Sequence, residues 1–341
     1  MSLEKLRFAI IGCGRIAPRH AQSLVEIQNA QLVVACDLIE SRAQNIANQY
    51  GCEPSTDYRR VLERKDIDVV AICVPSGLHA QIGIEAASAG KHVLVEKPIA
   101  LTVADADALI ESCKKFGVTL GVVLQNRFNP PMRDLRQAVD DGELGRLLLG
   151  NATVRWYRPQ EYYEDGWHGT WAMDGGAFMN QAIHHIDALC WFMGQPERVF
   201  SYTSTLAHRM EAEDVGVATI RFKNGGLGVI EASTITYPEN LEGSLSLFGE
   251  KGSVKIGGTA LNKKVIWKLE KMFEHEKYLI RHDEIDPPSV YGYSHKAQIE
   301  EMINAILEQR EPSTSGVEAK KSLAVVCALY ESSHHGKEII F

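Results

Sequence analysis

The apolar run of residues 7–11 (RFAII) leads directly into Gly12-Cys13-Gly14-Arg15-Ile16-Ala17, a GxGxxA pattern, and a helical pattern follows over residues 15–28. This junction restricts the fold more than any other feature of the chain. Gly12 suits the tight turn out of a strand. Gly14 lets a pyrophosphate reach the backbone where a Cβ would collide, and Ala17 allows a helix to pack closely on the strand. The helix then offers its N-terminal N–H groups to phosphates, with Arg15 and Ile16 beside them. A second apolar run, residues 31–36 (QLVVAC), closes on Asp37. A carboxylate there accepts from both ribose hydroxyls and repels a 2′-phosphate, which favours NAD over NADP. The competing explanation is an ordinary strand-to-helix turn with Asp37 as a helix N-cap.

More apolar runs follow at 68–73, 92–95 and 118–124, separated by helical patterns at 41–50, 57–63, 78–89 and 103–116. Near-continuously apolar strands alternating with helices indicate a parallel sheet covered on both faces. The expected fold class is α/β, with a Rossmann domain over residues 1–124. The remainder, 125–341, reads as an α/β domain built on a large, mainly antiparallel open sheet. Its strands fall at 147–156, 197–206, 214–223, 226–236, 243–249 and 252–256. Turns at Asn224-Gly225-Gly226 and Glu250-Lys251-Gly252 join neighbours as hairpins. Helices are expected at 131–141, 178–193, 295–309 and 316–334. A chain of 341 residues exceeds one ordinary core, which agrees with two domains.

Composition narrows the function. The net charge of −8 argues against a general nucleic-acid binder. Seven cysteines without a CxxC pair form neither a disulfide framework nor a zinc knuckle. No signal peptide and no run of 18 apolar residues is evident, so the expectation is a cytoplasmic protein with no membrane partner.

Two further stretches carry chemistry. Val74-Pro75-Ser76-Gly77-Leu78-His79 closes one strand, and HVLVEKPIA places Glu96 and Lys97 at the edge of the next. Ligands of open α/β sheets bind at such edges, so Pro75, Ser76, His79, Glu96 and Lys97 are cofactor-site candidates. Pro98 pushes Lys97 into an extended conformation, pointing towards the nicotinamide position. Then GGAFMNQAIHHIDALCW, residues 175–191, reads as an apolar helix carrying Asn180, Gln181, His184, His185 and Asp187. At i, i+4, i+7 spacing, Asn180, His184 and Asp187 share one face, so Asp187 is placed to orient His184. Gln181 and His185 form a neighbouring stripe. The two histidines diverge by about 100° on a helix, and no third ligand stands at convincing spacing, so no metal is expected. A satisfied core histidine is the competing explanation.

The combination of GxGxxA with Asp37, EKP at 96–98 and GG…N…HHxxD over 175–187 resembles the Gfo/Idh/MocA family of sugar oxidoreductases, across nearly the whole chain. The resemblance implies a Rossmann domain followed by an open-sheet domain, NAD as cofactor, and a homodimer or homotetramer. It makes Lys97 and His184 the catalytic pair. The family commonly has Asp four residues before that histidine, where this chain has Asn180. Within the family, QNRFNP (125–130), RPQEYY (158–163), WHGTW (167–171) and GGAFMNQAIHH resemble the branch that oxidises the C3 hydroxyl of UDP-N-acetylglucosaminuronic acid to a 3-keto sugar for surface-polysaccharide synthesis. That implies a UDP-sugar substrate, with 2-oxoglutarate as a candidate acceptor recycling NADH. Arg127, Arg158, Gln160, Tyr162, Tyr163 and Trp167 become substrate candidates alongside Lys97, Asn180, Gln181, His184 and His185. Gln125 is expected near the nicotinamide. The alternatives are a free-sugar or inositol dehydrogenase of the same family, or a non-catalytic NAD-binding sensor.

Overall fold

The computed structural model describes residues 5–270, 292 and 294–341. The chain forms two compact units. The first comprises Met1–Gln125 with Ser294–Lys320, the second Asn126–Tyr293 with Lys321–Phe341.

In the first unit, six parallel strands lie in the order β3-β2-β1-β4-β5-β6. They are β1 (Leu6–Ile11), β2 (Ala30–Cys36), β3 (Glu53–Ser55), β4 (Val69–Ile72), β5 (His92–Val95) and β6 (Leu120–Val122). Every residue of β4 is buried, as is all of β5 after His92. That burial explains why these strands read as unbroken apolar runs. The connecting helices are α1 (Ala17–Glu26), α2 (Glu40–Tyr50), α3 (Tyr58–Leu62), α4 (His79–Ser88) and α5 (Val103–Phe116). Strand order reverses between β1 and β4, and the loops after β1, β4 and β5 gather at the carboxyl ends beside that switch, where α/β sheets place ligands.

The sequence reading has a single boundary after residue 124, whereas Ser294–Lys320 returns to the first unit. The physical reason is apolar packing. Helix α8 (His295–Leu307) puts Ile299 and Ile303 into the same core cluster as Leu24 and Ile27, around α1.

The second unit holds an eight-stranded sheet. In chain order its strands are β7 (Leu147–Arg155), β8 (Pro196–Ser204), β9 (Val215–Phe222), β10 (Leu227–Ser233), β11 (Glu242–Gly249), β12 (Gly252–Gly257), β13 (Lys263–Leu269) and β14 (Ile339–Ile340). The two expected hairpins, β9–β10 and β11–β12, are antiparallel. β7 and β10 pair in parallel, so the sheet is mixed at its centre. Buried and exposed residues alternate along β9, as in a sheet with one solvated face. The short β3 and β14, and the lysine-rich edge strand β13, lie outside the strands read from sequence. β3 and β14 are too short to mark a strand, and the seven residues of β13 lack a clean alternation. Helices α6 (Pro130–Asp140) and α7 (Ile183–Met193) belong to this unit, and α9 (Gly316–His335) enters it from Lys321.

Candidate active site

The glycine loop and the residues around it are built in the first unit. Gly12 has φ +95, and a Cβ there would stand 2.6 Å from the carbonyl carbon of Cys73, so the β1 and β4 loops can touch only through a glycine. Gly14 differs. No protein atom lies within 4 Å of where its Cβ would be, so packing does not account for the glycine. Open space over Gly14 suits the approach of a phosphate. The residue before α1, Ile16, provides no side-chain cap, so no side chain competes for the helix N-terminus. Ala17 is fully buried where helix meets strand, and Arg15 is exposed.

Asp37 is half-buried. Its carboxylate accepts from the N–H of Cys13 (2.8 Å) and of Ile39 (2.8 Å), which locks it against the glycine loop. The residue capping α2 is Ile39, so Asp37 is not that helix's N-cap. The glycine cradle, the uncapped helix and this carboxylate together fit a dinucleotide. In the β4 loop, Pro75 leads into a short 3-10 turn, Ser76–Leu78, with Ser76 buried. His79 lies 2.7 Å (Nδ1) from the carbonyl of Pro98 and 3.0 Å (Nε2) from that of Val74, joining the β4 and β5 loops. Burial pushes its pKa down.

Glu96 turns inward. Its Oε1 lies 2.8 Å from His20 Nε2, and its Oε2 accepts from the backbone N–H of Lys97 at 3.3 Å. His295 stands edge-on to His20 with ring centroids 5.6 Å apart. Burial would raise the Glu96 carboxyl, but the hydrogen bond and charge of His20, helped by His295 and Lys97, outweigh it and hold the group at about 2. Glu96 thus braces the turn that presents the half-buried Lys97, whose peptide bond to Pro98 is cis. Gln125 is buried at the end of this unit.

The second unit holds most of the residues that the sequence marked as substrate candidates. Asn180 Nδ2 donates to Asp174 Oδ1 at 2.6 Å and reaches Tyr162 Oη at 3.5 Å. Asp174 is fully buried and its other oxygen accepts from Gly169 N–H at 2.8 Å. Tyr162 packs on His168 (4.1 Å between centroids), and His168 stacks on Trp167 at 3.6 Å. Asp165 lies 2.5 Å from His168 Nδ1. The Arg158 guanidinium sits 5.2 Å from the Trp156 ring and 5.5 Å from that of Tyr162, close enough for cation–π attraction to both. Arg158, Tyr162, Trp167 and Asn180 are therefore linked into one polar–aromatic wall. Gln160 instead exchanges hydrogen bonds with the backbone of Arg209. Tyr163 is buried and donates to Thr234 Oγ1 at 2.9 Å, and burial pushes its hydroxyl up to about 12.

The helix over 178–193 differs from expectation. A π turn, Ala177–Gln181, precedes α7, which begins only at Ile183. Asn180, His184 and Asp187 are therefore not one face of one α-helix. Asp187 is drawn into a buried, two-pronged ion pair with Arg127, with Nε–Oδ2 at 2.8 Å and Nη2–Oδ1 at 2.7 Å. Arg127, expected at the substrate, shares its charge with that carboxylate and lies 5.1 Å from the Trp191 ring. His184 is half-buried. Gln181 and His185 are buried, and burial pushes His185 down to about 4.

Sequence reasoning missed Asp174 and His168. The signal for Asp174 was its place directly before Gly175-Gly176. His168 sits inside the quoted WHGTW, but nothing in its spacing pointed to Tyr162. Asn180 therefore stands beside a carboxylate after all, one supplied from across the glycine turn.

The comparisons with known proteins follow this geometry. Residues 6–124 match a family model described as an oxidoreductase family, NAD-binding Rossmann fold, and residues 132–255 match a GFO/IDH/MocA C-terminal domain. The structure is similar to the WlbA dehydrogenase from Bordetella pertussis in complex with NADH and UDP-GlcNAcA. That likeness has 39% identity and a TM-score of 0.94, and it covers 100% of this chain and 99% of that one. Among curated relatives, myo-inositol 2-dehydrogenase of Thermotoga maritima is 28% identical over 98% of each chain. The scyllo-inositol 2-dehydrogenase (NAD(+)) of Bacillus subtilis is 30% identical over 74% of each. Among the described residues, no helix is long and apolar enough to cross a membrane. With family models matched over residues 6–124 and 132–255, the chain belongs to the Gfo/Idh/MocA family of NAD-binding oxidoreductases.

Proposed function

We propose that this oxidoreductase oxidises the C3 hydroxyl of UDP-N-acetylglucosaminuronic acid to the 3-keto sugar. The observation that carries the reading is the full-length likeness to a dehydrogenase solved with NADH and UDP-GlcNAcA. The nicotinamide, when bound, accepts the hydride from the carbinol carbon. His184 takes the hydroxyl proton as the carbonyl forms, and Lys97 stabilises alkoxide character on the oxygen. The brace of Glu96 on the Lys97 turn holds that ammonium in place. Arg158 offers positive charge beside two ring faces, which suits a diphosphate or uronate next to a planar base. Asn180, oriented by Asp174, adds a polar contact to the sugar.

A second reading is a free-sugar or inositol dehydrogenase. The inositol dehydrogenases among the curated relatives favour it, and so does the Asp174 carboxylate beside Asn180. A titration of NAD+-loaded enzyme with UDP-GlcNAcA, UDP-GlcNAc, glucuronate and myo-inositol, followed by NADH absorbance, separates the two. Turnover with the UDP-uronate, lost in Lys97→Ala and His184→Asn, is expected. Turnover of unactivated sugars with no gain from the UDP group would overturn the proposal.

A further inference from the structure

The glycine turn and π turn that carry Asn180 towards α7 begin with amides that need acceptors, because the first N–H groups of a helical segment have no partner within it. Four consecutive ones are taken up by two residues distant in sequence. Gly176 N–H donates to Tyr330 Oη (3.3 Å), and Ala177 N–H to the backbone carbonyl of Glu213 (2.9 Å). Phe178 N–H donates to Glu213 Oε1 (2.8 Å) and Met179 N–H to Tyr330 Oη (3.2 Å). The Tyr330 hydroxyl in turn donates to Glu213 Oε1 at 3.0 Å. No side chain of the segment itself caps it. Gly176 fits the same arrangement, since a Cβ there would lie within 1.9 Å of Glu213 Oε2.

We propose that Glu213 and Tyr330 are positioning residues, a remote cap that fixes the π turn and so the placement of Asn180 and His184. This rests on the reading of those two residues as part of the active site. Glu213 is 2% exposed. Burial, with the charge of Asp174 adding to it, raises its carboxyl to about 7 even though Phe178 and Tyr330 hydrogen-bond to it. The raised value reflects the cost of burying a charged carboxylate there. Trp171 lies edge-on over Tyr330 with centroids 5.1 Å apart, covering the cap from outside. Glu213 and Tyr330 together thus meet four consecutive amides of this one turn.

The test uses the full chain with Glu213→Ala, Glu213→Gln and Tyr330→Phe. Hydrogen exchange at the amides of 176–179 is expected to speed up by about 10-fold or more in Glu213→Ala and Tyr330→Phe, roughly the loss of one or two hydrogen bonds. Exchange in β9 and β10 should stay as in the wild type, which separates loss of the cap from loss of the fold. The amide oxygen of Glu213→Gln still accepts, so this variant is expected to restore protection. With UDP-GlcNAcA, kcat should fall by about 10-fold or more in the Ala and Phe variants, with KM for NAD+ unchanged, and recover in the Gln variant. Unchanged exchange at 176–179 in both Glu213→Ala and Tyr330→Phe would overturn the proposal. If the wild type oxidises no sugar, the substrate reading fails, and the exchange data still decide the cap.

Discussion

Replacing Asn180 with Asp would put two carboxylates at the 2.6 Å now spanned by the Asn180–Asp174 hydrogen bond. At an effective dielectric constant of ~20, two unit charges at that separation repel by about 6 kcal/mol. The protein avoids part of this by holding one proton between the groups, which also keeps a hydrogen bond where the amide donated. Keeping a proton at pH 7 on a carboxyl whose unfolded pKa is about 4 costs about 4 kcal/mol, at 1.36 kcal/mol per unit. The sign follows from the raised folded pKa. The penalty is absent below the unfolded value, grows by about 1.4 kcal/mol per pH unit above it, and levels off near pH 8 at the repulsion limit. Urea unfolding of wild type and Asn180→Asp at several pH values from 5 to 8 measures this directly. The two proteins should differ by about 1.4 kcal/mol at pH 5 and diverge steadily above it. A difference that is flat across the range would show that position 180 and Asp174 do not share a proton, and the geometry argued for this wall would be refuted.

Two other perturbations test the remaining architecture. Gly12→Ala drives a Cβ to 2.6 Å from the backbone of Cys73 at a residue with φ +95, so NAD+ binding followed by fluorescence should be lost, with the first unit destabilised. Asp187→Ala strips the buried Arg127 of its two-pronged partner, and the unfolding free energy in urea should fall by about 3–5 kcal/mol. Adding Arg127→Met should recover part of that loss, whereas no recovery would mean the ion pair is not the source.

The first unit was largely legible because its central strands are mostly buried and read as apolar runs, the short exposed β3 apart. The glycine turn could likewise be read from residues alone, since Gly12 and Gly14 are explained by backbone approach and open space rather than by distant side chains. What sequence could not supply were pairings set by tertiary contact. The amphipathic pattern of α8 says that one face is buried, but not that it packs with α1. The stripe of Asn180, His184 and Asp187 was placed on the wrong helix geometry, because a 3.6-residue period was carried through a π turn. The Arg127–Asp187 pair spans 60 residues and leaves no local signature.

The glycine pair before that turn is the point where local and tertiary information meet. Gly175 has φ +81, a conformation that side chains rarely adopt, while Gly176 is extended and lacks room for a Cβ because Glu213 fills the space. One glycine is thus required by the backbone and the other by a residue 37 positions away, at Glu213. Asp174, immediately before them, is carried by the same turn to Asn180. An Asp at position 180 would add a second carboxylate to this wall, whereas here a neutral amide stands against a buried one. The arrangement keeps the carboxylate's orienting effect and moves its charge back from the surface of the wall. The turn thus ties the residue at 180 to the buried carboxylate that precedes it.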